Sequence, residues 1–292
     1  MPRGLVGAPV ERISVQRAML AASVVACMSV GSADAQPIHD RIYQPSKLDL
    51  NLADLPAGSA TINVVTADGL TLTGIDVPGR SDRPLVLIFH GNGSGADATA
   101  KWFAPLASRG YGLIVAEYRG YATNPGRPDE AGLAKDADAF YAYAKERANG
   151  RPVIVIGHSL GGGVAFGLAT RQRLDALIAI ATFTRLRDMA PKIARAFVQE
   201  RYDNLAAVAT LDEPWFLLHG TADEIVPAGM ANKLHNAAVN ARRRGASYVL
   251  TGATHHPDGT LLADVIDAVV AQLLGHTPTP LPPSVKSFPF GG

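Results

Sequence analysis

Short, almost uninterrupted apolar runs recur along this chain: PLVLIF (84–89), YGLIVA (111–116), PVIVIG (152–157), LDALIAIA (174–181) and PWFLL (214–218). A strand with one wet face alternates apolar and polar residues, so runs without a polar beat belong to strands covered on both faces. The stretches between them, among them DATAKWFAPLASRG, DEAGLAKDADAFYAYAKERANG and LGGGVAFGLATRQR, read as helices. Parallel neighbours need crossovers of that length. ATINVVTADGLTLTGIDVPG precedes the series as two strands around an Asp68-Gly69 turn; helical PAGMANKLHNAAVNARRRG, the strand SYVLTG and helical LLADVIDAVVAQLLG follow it. With MAPKIARAFVQERY as a further helix before PWFLL, the pattern predicts an α/β domain over residues 59–275. Its central sheet is expected to be mostly parallel, of about eight strands, flanked by helices.

The two ends read differently. Arg3, Arg12 and Arg17 precede AMLAASVVACMSV, an apolar run of thirteen residues that opens into the small-residue stretch GSADAQ. A membrane span needs roughly 20 apolar residues, so residues 1–35 read as a signal peptide cleaved after Ala35, with export to a periplasmic or extracellular space. VVAC offers another processing route, in which Cys27 is lipidated. Removal of residues 1–35 takes with it Arg3, Arg12, Arg17, Glu11 and Asp34 and leaves 24 basic and 24 acidic residues. That balance gives no electrostatic footing for nucleic acid, nor for a membrane unless Cys27 carries lipid. Cys27 is the only cysteine, so cysteine catalysis, disulfides and cysteine-bound zinc are excluded from the rest of the chain. Residues 36–58 form an irregular lead-in, and proline-rich 276–292 is expected as a disordered tail.

PVIVIGHSLGGG stops a buried strand abruptly and places a hydroxyl in the bend. Gly157, His158, Ser159, Leu160 and Gly161 match G-x-S-x-G, where a strand-to-helix turn strains the serine backbone, exposes its Oγ, and needs small neighbours for steric reasons. A serine hydroxyl is a poor nucleophile near neutral pH and needs a base, which in turn needs an orienting carboxylate. Later strand ends supply both: HGTADEIVP offers Asp223 or Glu224, and GATHHP offers His255 or His256. Asp223 has a competing reading as a turn or helix-capping carboxylate before IVPAGMANKLHNA, a role taken to exclude orienting a histidine.

The ordered set FHGNGSG, YRGY, GHSLGG, HGTADEIVP and GATHH resembles the α/β-hydrolases, and among them the BEM46-like and serine-aminopeptidase (S33) types, over roughly residues 59–273. The resemblance implies an α/β-hydrolase fold and a serine hydrolase acting on esters, thioesters or amides through an acyl-enzyme. It implies Ser159 as nucleophile, Asp223 as acid by its spacing from Gly220, and His255 as base, leaving His256 as a departure from the pattern. It also implies the backbone N–H groups of Asn92 and Leu160 as an oxyanion hole, with no cofactor. A binding protein that keeps this fold without catalysis, or an acyltransferase using the same residues, remains open.

The other histidines read as structural. His90 and His219, each at a strand end before glycine, suit a neutral ring bonded to loop backbone, and His158 suits support of the bend. His39, His235 and His276 have no partner pattern, and no spacing implies a metal. HGNGSGAD lacks the Lys-Ser/Thr ending of a phosphate-binding loop. Arg185, Arg187, Lys192, Arg195 and Arg201 tint one segment basic, as a solvated helix face does. Only about thirty residues separate Thr182 from Pro214, which predicts a small helical lid and a small acyl or peptide-like substrate. Trp102, Phe103, Tyr118, Tyr121 and Phe183 are candidates for the acyl pocket or, equally, for core.

Overall fold

The computed structural model describes residues 42–291; the expected signal peptide and Cys27 lie outside the described residues. Among the described residues nine strands form one sheet: β1 (Ala60–Val65), β2 (Thr71–Val77), β3 (Leu85–Phe89), β4 (Gly112–Ala116), β5 (Val153–His158), β6 (Ala176–Ile180), β7 (Trp215–Gly220), β8 (Gly245–Leu250) and β9 (Val285–Pro289). Helices α1 (Ala96–Trp102), α2 (Ala104–Ala107), α3 (Glu130–Ala148), α4 (Leu160–Ala169), α5 (Leu186–Met189), α6 (Asn204–Val208), α7 (Ala228–Asn240) and α8 (Gly259–Leu273) connect them, with a 3-10 turn at Lys192–Phe197.

The spatial order is β1-β2-β4-β3-β5-β6-β7-β8-β9. From β4 to β8 every pairing is parallel, while β2 and β9 join the edges antiparallel. The chain runs outward from β3 to β4 and then crosses to β5 on the other side. Ligands of such sheets bind beyond the carboxyl ends of the strands where that reversal occurs. Here those ends are Phe89 and Gly157, which are paired across the ladder.

The apolar runs lack a polar beat because both faces are covered. Leu85, Leu87 and Phe89 of β3 enter one core cluster with Phe140 of α3 and Phe166 of α4. Val86 and Ile88 enter the other, with Phe103, Val265 and Val269. Alternate side chains of one strand point to opposite faces, so each five-residue run serves two cores.

Three expectations need correction. The segment DATAKWFAPLASRG is two short helices, because the chain breaks at Phe103 and restarts with Pro105 at the head of α2. MAPKIARAFVQERY is not one helix: α5 stops at Met189 ahead of Pro191, whose ring cannot continue a helix, and α6 begins only at Asn204, where Asp203 accepts from the Ala206 N–H. The segment expected as a lid is therefore two short helices and a 3-10 turn. The third correction concerns 276–292, expected as disordered. Four of its prolines precede a strand, β9, and Pro289 ends it; this strand raises the count from about eight to nine. Proline is tolerated there because β9 is an edge strand. The segment is held by apolar anchors: Phe290 is 1% exposed, its ring centred 4.7 Å from that of Trp215.

Truncating Phe290 leaves a void against Trp215, and buried Phe→Ala changes cost about 3 kcal/mol or more. Phe290→Ala is expected to lower unfolding free energy by about that amount in urea titrations. A change below about 0.5 kcal/mol, as at a surface position, would mean that the tail does not dock.

Candidate active site

The bend at Ser159 is imposed by backbone crowding. A Cβ at Gly161 would collide with the Phe89 carbonyl, and one at Gly157 with the Gly161 carbonyl, so β3, β5 and α4 meet at van der Waals contact only with glycine in both places. Between them Ser159 takes φ 53° and ψ −114°, a region that side-chain-bearing residues rarely occupy. Its backbone is tied on each side: the N–H donates to Ile180 O at 2.9 Å, and the carbonyl accepts from Gly162 N at 3.0 Å and from Thr182 Oγ1 at 2.9 Å. Ser159 is partly exposed, and its Oγ has no hydrogen-bond partner among the described residues.

Asp223 follows β7, and His255 lies between β8 and α8. His255 Nδ1 sits 3.0 Å from Asp223 Oδ2 and 3.1 Å from Oδ1, with side chains 6% and 0% exposed. Asp223 Oδ1 also accepts from the N–H groups of Ile225 (2.9 Å) and Val226 (2.8 Å). The turn-carboxylate and orienting roles, taken above as exclusive, are thus combined. A carboxylate has enough lone pairs for both, and the turn holds it where the ring needs it. Burial alone would raise the Asp223 pKa; the hydrogen bonds from His255 and the Val226 and Ile225 amides outweigh it and hold the carboxyl below its ordinary range.

Glu224 plays another part: its Oε2 accepts from the His255 backbone N–H at 3.2 Å. His158 donates Nε2–H to the His255 carbonyl at 3.0 Å, which ties the His255 loop to the strand end carrying Ser159. His255 Nε2 has no hydrogen-bond partner among the described residues. His256 is exposed and its ring lies 4.7 Å from His158, 5.3 Å from His255 and 5.5 Å from Trp102, with no carboxylate bonded to it among the described residues. The N–H groups of Asn92 and Leu160 likewise have no partner among the described residues. That of Leu160 opens α4, where N–H groups lack intrahelical acceptors.

His158 is buried, and its pKa is pushed down to about 3 by that burial, reinforced by His255 and His256 beside it. It is therefore neutral, as expected for a ring that supports the bend. His219 bonds the Val226 carbonyl at 3.1 Å. His90 bonds the Gly91 carbonyl at 2.8 Å, and its other nitrogen meets Glu117 Oε1, also at 2.8 Å. That second contact was not expected from the sequence. Among the aromatic candidates, Phe103, Tyr118, Tyr121 and Phe183 are at most 3% exposed and belong to the core. Trp102 alone of that set is partly exposed, its ring 4.9 Å from His158. In the basic segment, Arg185 is paired with Asp203 at 2.7 Å and Arg195 with Asp188 at 3.7 Å.

A cavity of about 760 Å³ opens at the opposite end of the sheet, lined by Pro152, Asp175 and Pro214, and includes none of these site residues. Among the described residues no cluster of three His, Cys, Asp or Glu is placed to hold a metal.

The fold, with its bend at the strand reversal and a buried Asp–His pair on later strand ends, is that of an α/β-hydrolase. A model of the serine aminopeptidase S33 family matches residues 80–207. An uncharacterized protein of Mycobacterium tuberculosis is 33% identical over 232 residues, covering 76% of this chain and 81% of that protein. The lysophosphatidylserine lipase ABHD12 of Danio rerio is 29% identical over 188 residues, covering 56% of this chain and 49% of the lipase. A solved esterase of Pyrococcus furiosus superposes with a TM-score of 0.64 at 20% identity, over 80% of this chain and 97% of the esterase. A Mycobacterium tuberculosis puromycin-hydrolyzing peptidase gives 0.63 at 18% identity, over 80% of this chain and 43% of the peptidase. The chain has the α/β-hydrolase fold, and over residues 80–207 it matches the serine aminopeptidase S33 family.

The neutral His158 carries a pH signature. Unfolded, its ring has a pKa near 6.5; folded, about 3. Below about pH 6.5 the unfolded chain binds a proton that the native protein does not, so stability falls as pH drops, by roughly 1 kcal/mol per unit from this ring. Urea titrations at pH 7.5, 6 and 5 are expected to show a shallower decline in His158→Gln than in wild type. Parallel declines would show that His158 is not buried neutral.

Proposed function

We propose that this protein is a serine hydrolase that cleaves an acyl ester, thioester or amide through Ser159, His255 and Asp223. The observation that carries the reading is the buried His255–Asp223 pair at 3.0 Å, tied through His158 to the strand end where Ser159 is held at φ 53°. Asp223 on Nδ1 fixes the tautomer in which Nε2 bears the lone pair, the form a general base needs. Ser159 Oγ attacks the acyl carbon as its proton passes to His255 Nε2. The carbonyl π electrons move onto oxygen, which the Asn92 and Leu160 N–H groups receive. When the tetrahedral intermediate collapses, His255 returns that proton to the departing alkoxide, thiolate or amine, leaving an acyl-Ser159. Water, deprotonated by the same nitrogen, then releases the acid.

The relatives support this at the level of bond type. Proteins named as an esterase, a lysophosphatidylserine lipase and a puromycin-hydrolyzing peptidase all fall within acyl–heteroatom cleavage. The lid of two short helices and a 3-10 turn supports a small acyl or peptide-like substrate over a long-chain lipid, which calls for a larger apolar cover.

A fluorophosphonate probe is expected to label wild type and not Ser159→Ala; equal labelling contradicts the nucleophile, and an unlabelled wild type favours a non-catalytic binding protein. Asp223→Asn, by favouring the wrong tautomer, is expected to cut kcat for a p-nitrophenyl ester by on the order of 10⁴. A loss below about tenfold would remove Asp223 from the mechanism.

A further inference from the structure

The buried pair His90–Glu117 is not used in the chemistry above, yet it touches the peptide that carries one proposed oxyanion donor. Both side chains are at most 1% exposed. His90 Nδ1 lies 2.8 Å from Gly91 O and Nε2 lies 2.8 Å from Glu117 Oε1. A carbonyl oxygen only accepts, so Nδ1 carries hydrogen whichever of His90 and Glu117 holds the proton between Nε2 and Oε1. Glu117 is itself fixed, with Oε2 accepting from Ala96 N at 2.8 Å and Oε1 from Tyr118 N at 3.2 Å. The ring is enclosed by Tyr118 and Tyr121, centred 4.3 and 5.5 Å away.

Among the described residues no peptide bond is cis, so the Gly91 carbonyl and the Asn92 N–H point in opposite directions across one rigid plane. A donor holding Gly91 O toward His90 therefore turns the Asn92 N–H away from it. Ser94 N adds a second, longer bond to the same oxygen at 3.3 Å, closing a turn in which Gly93 takes φ 71°. The side chain of Asn92 is held as well: its Oδ1 accepts from Gln44 N and Tyr121 OH, each at 2.8 Å. Gly91 packs against the bend, since a Cβ there would lie 3.3 Å from Ser159 Cβ.

We propose that His90 and Glu117 are positioning residues that set the oxyanion hole: Glu117 fixes the His90 ring, His90 holds the Gly91 carbonyl, and the planar peptide aims the Asn92 N–H. This rests on the serine-hydrolase reading of Ser159. The pair touches no substrate; it pre-sets the direction of a dipole that matters only when negative charge develops on oxygen.

Two substitutions separate this role from a merely structural one. Asparagine presents its amide where Nδ1 lies, so His90→Asn can still donate to Gly91 O but leaves Glu117 a donor short. Glutamine reaches the Nε2 position, so His90→Gln keeps the Glu117 contact and frees Gly91 O. Positioning predicts that His90→Gln loses roughly 10- to 100-fold in kcat for a p-nitrophenyl ester with KM within about threefold, while His90→Asn keeps most of its kcat. Thermal stability is expected in the reverse order, with His90→Asn the less stable. The ester-to-thionoester rate ratio is expected to shrink in His90→Gln, because sulfur accepts poorly from N–H donors. Activity that follows stability, or wild-type kcat in His90→Gln, overturns the proposal. Should neither variant fold, Tyr121→Phe removes one donor from Asn92 Oδ1 and is expected to lower kcat by roughly 3- to 10-fold at unchanged KM; an unchanged kcat overturns the proposal equally. Wild type labelled by fluorophosphonate at Ser159 keeps the two readings apart: if it labels and His90→Gln is fully active, only this one falls. If wild type does not label, both fall.

Discussion

The site depends on a backbone collision avoided. β3, β5 and the head of α4 approach so closely that Gly157 and Gly161 admit no Cβ, and the residue between them must turn through φ 53°. Such a conformation costs about 1–3 kcal/mol and persists only where its surroundings over-determine it. Here they do: Ile180 O, Gly162 N and Thr182 Oγ1 bind the Ser159 backbone, and Asn204 reaches the Thr182 hydroxyl at 3.4 Å and the Phe183 carbonyl at 2.8 Å. The strain leaves the hydroxyl at the strand reversal instead of in the core.

Around this bend the protein sorts its charges by burial and hydrogen bonding. The Asp223 side chain is buried and stays ionised because a histidine and two amides face it. His158, its ring 4.9 Å from that of His255, is buried against other imidazoles and stays neutral. The same loss of water thus has opposite outcomes, decided by what each group faces. Neutral His158 keeps a second positive charge away from His255, the ring that gains a proton in the proposed mechanism.

Much of this was legible in the sequence because each apolar run needed only its own composition to read as a doubly covered strand, and the strand ends then carried Ser159, Asp223 and His255 in order. The pairing of Asp223 over Glu224 is consistent with spacing from Gly220, but its double duty was not legible, since it depends on the path of one turn. The contact between His90 and Glu117 was hidden for a different reason: it arises because Phe89 and Ala116 are in register, which places the following residues side by side from positions 27 apart in sequence. The one available signal was a charged residue directly after the buried run GLIVA. The tail misled because proline content outweighed the isolated anchors Val285 and Phe290, whose partners Leu250 and Trp215 lie on other strands.

The proposed mechanism requires that Ser159 become covalently acylated. Its most direct test is incubation of the protein with an aryl carbamate, whose carbamoyl-enzyme hydrolyses slowly, followed by intact mass and peptide mapping. One carbamoyl group on the peptide spanning the 157–161 bend, at Ser159 and absent from Asp223→Asn over the same interval, is the predicted result. An adduct at another residue, or continued ester turnover with neither inactivation nor adduct, would contradict it.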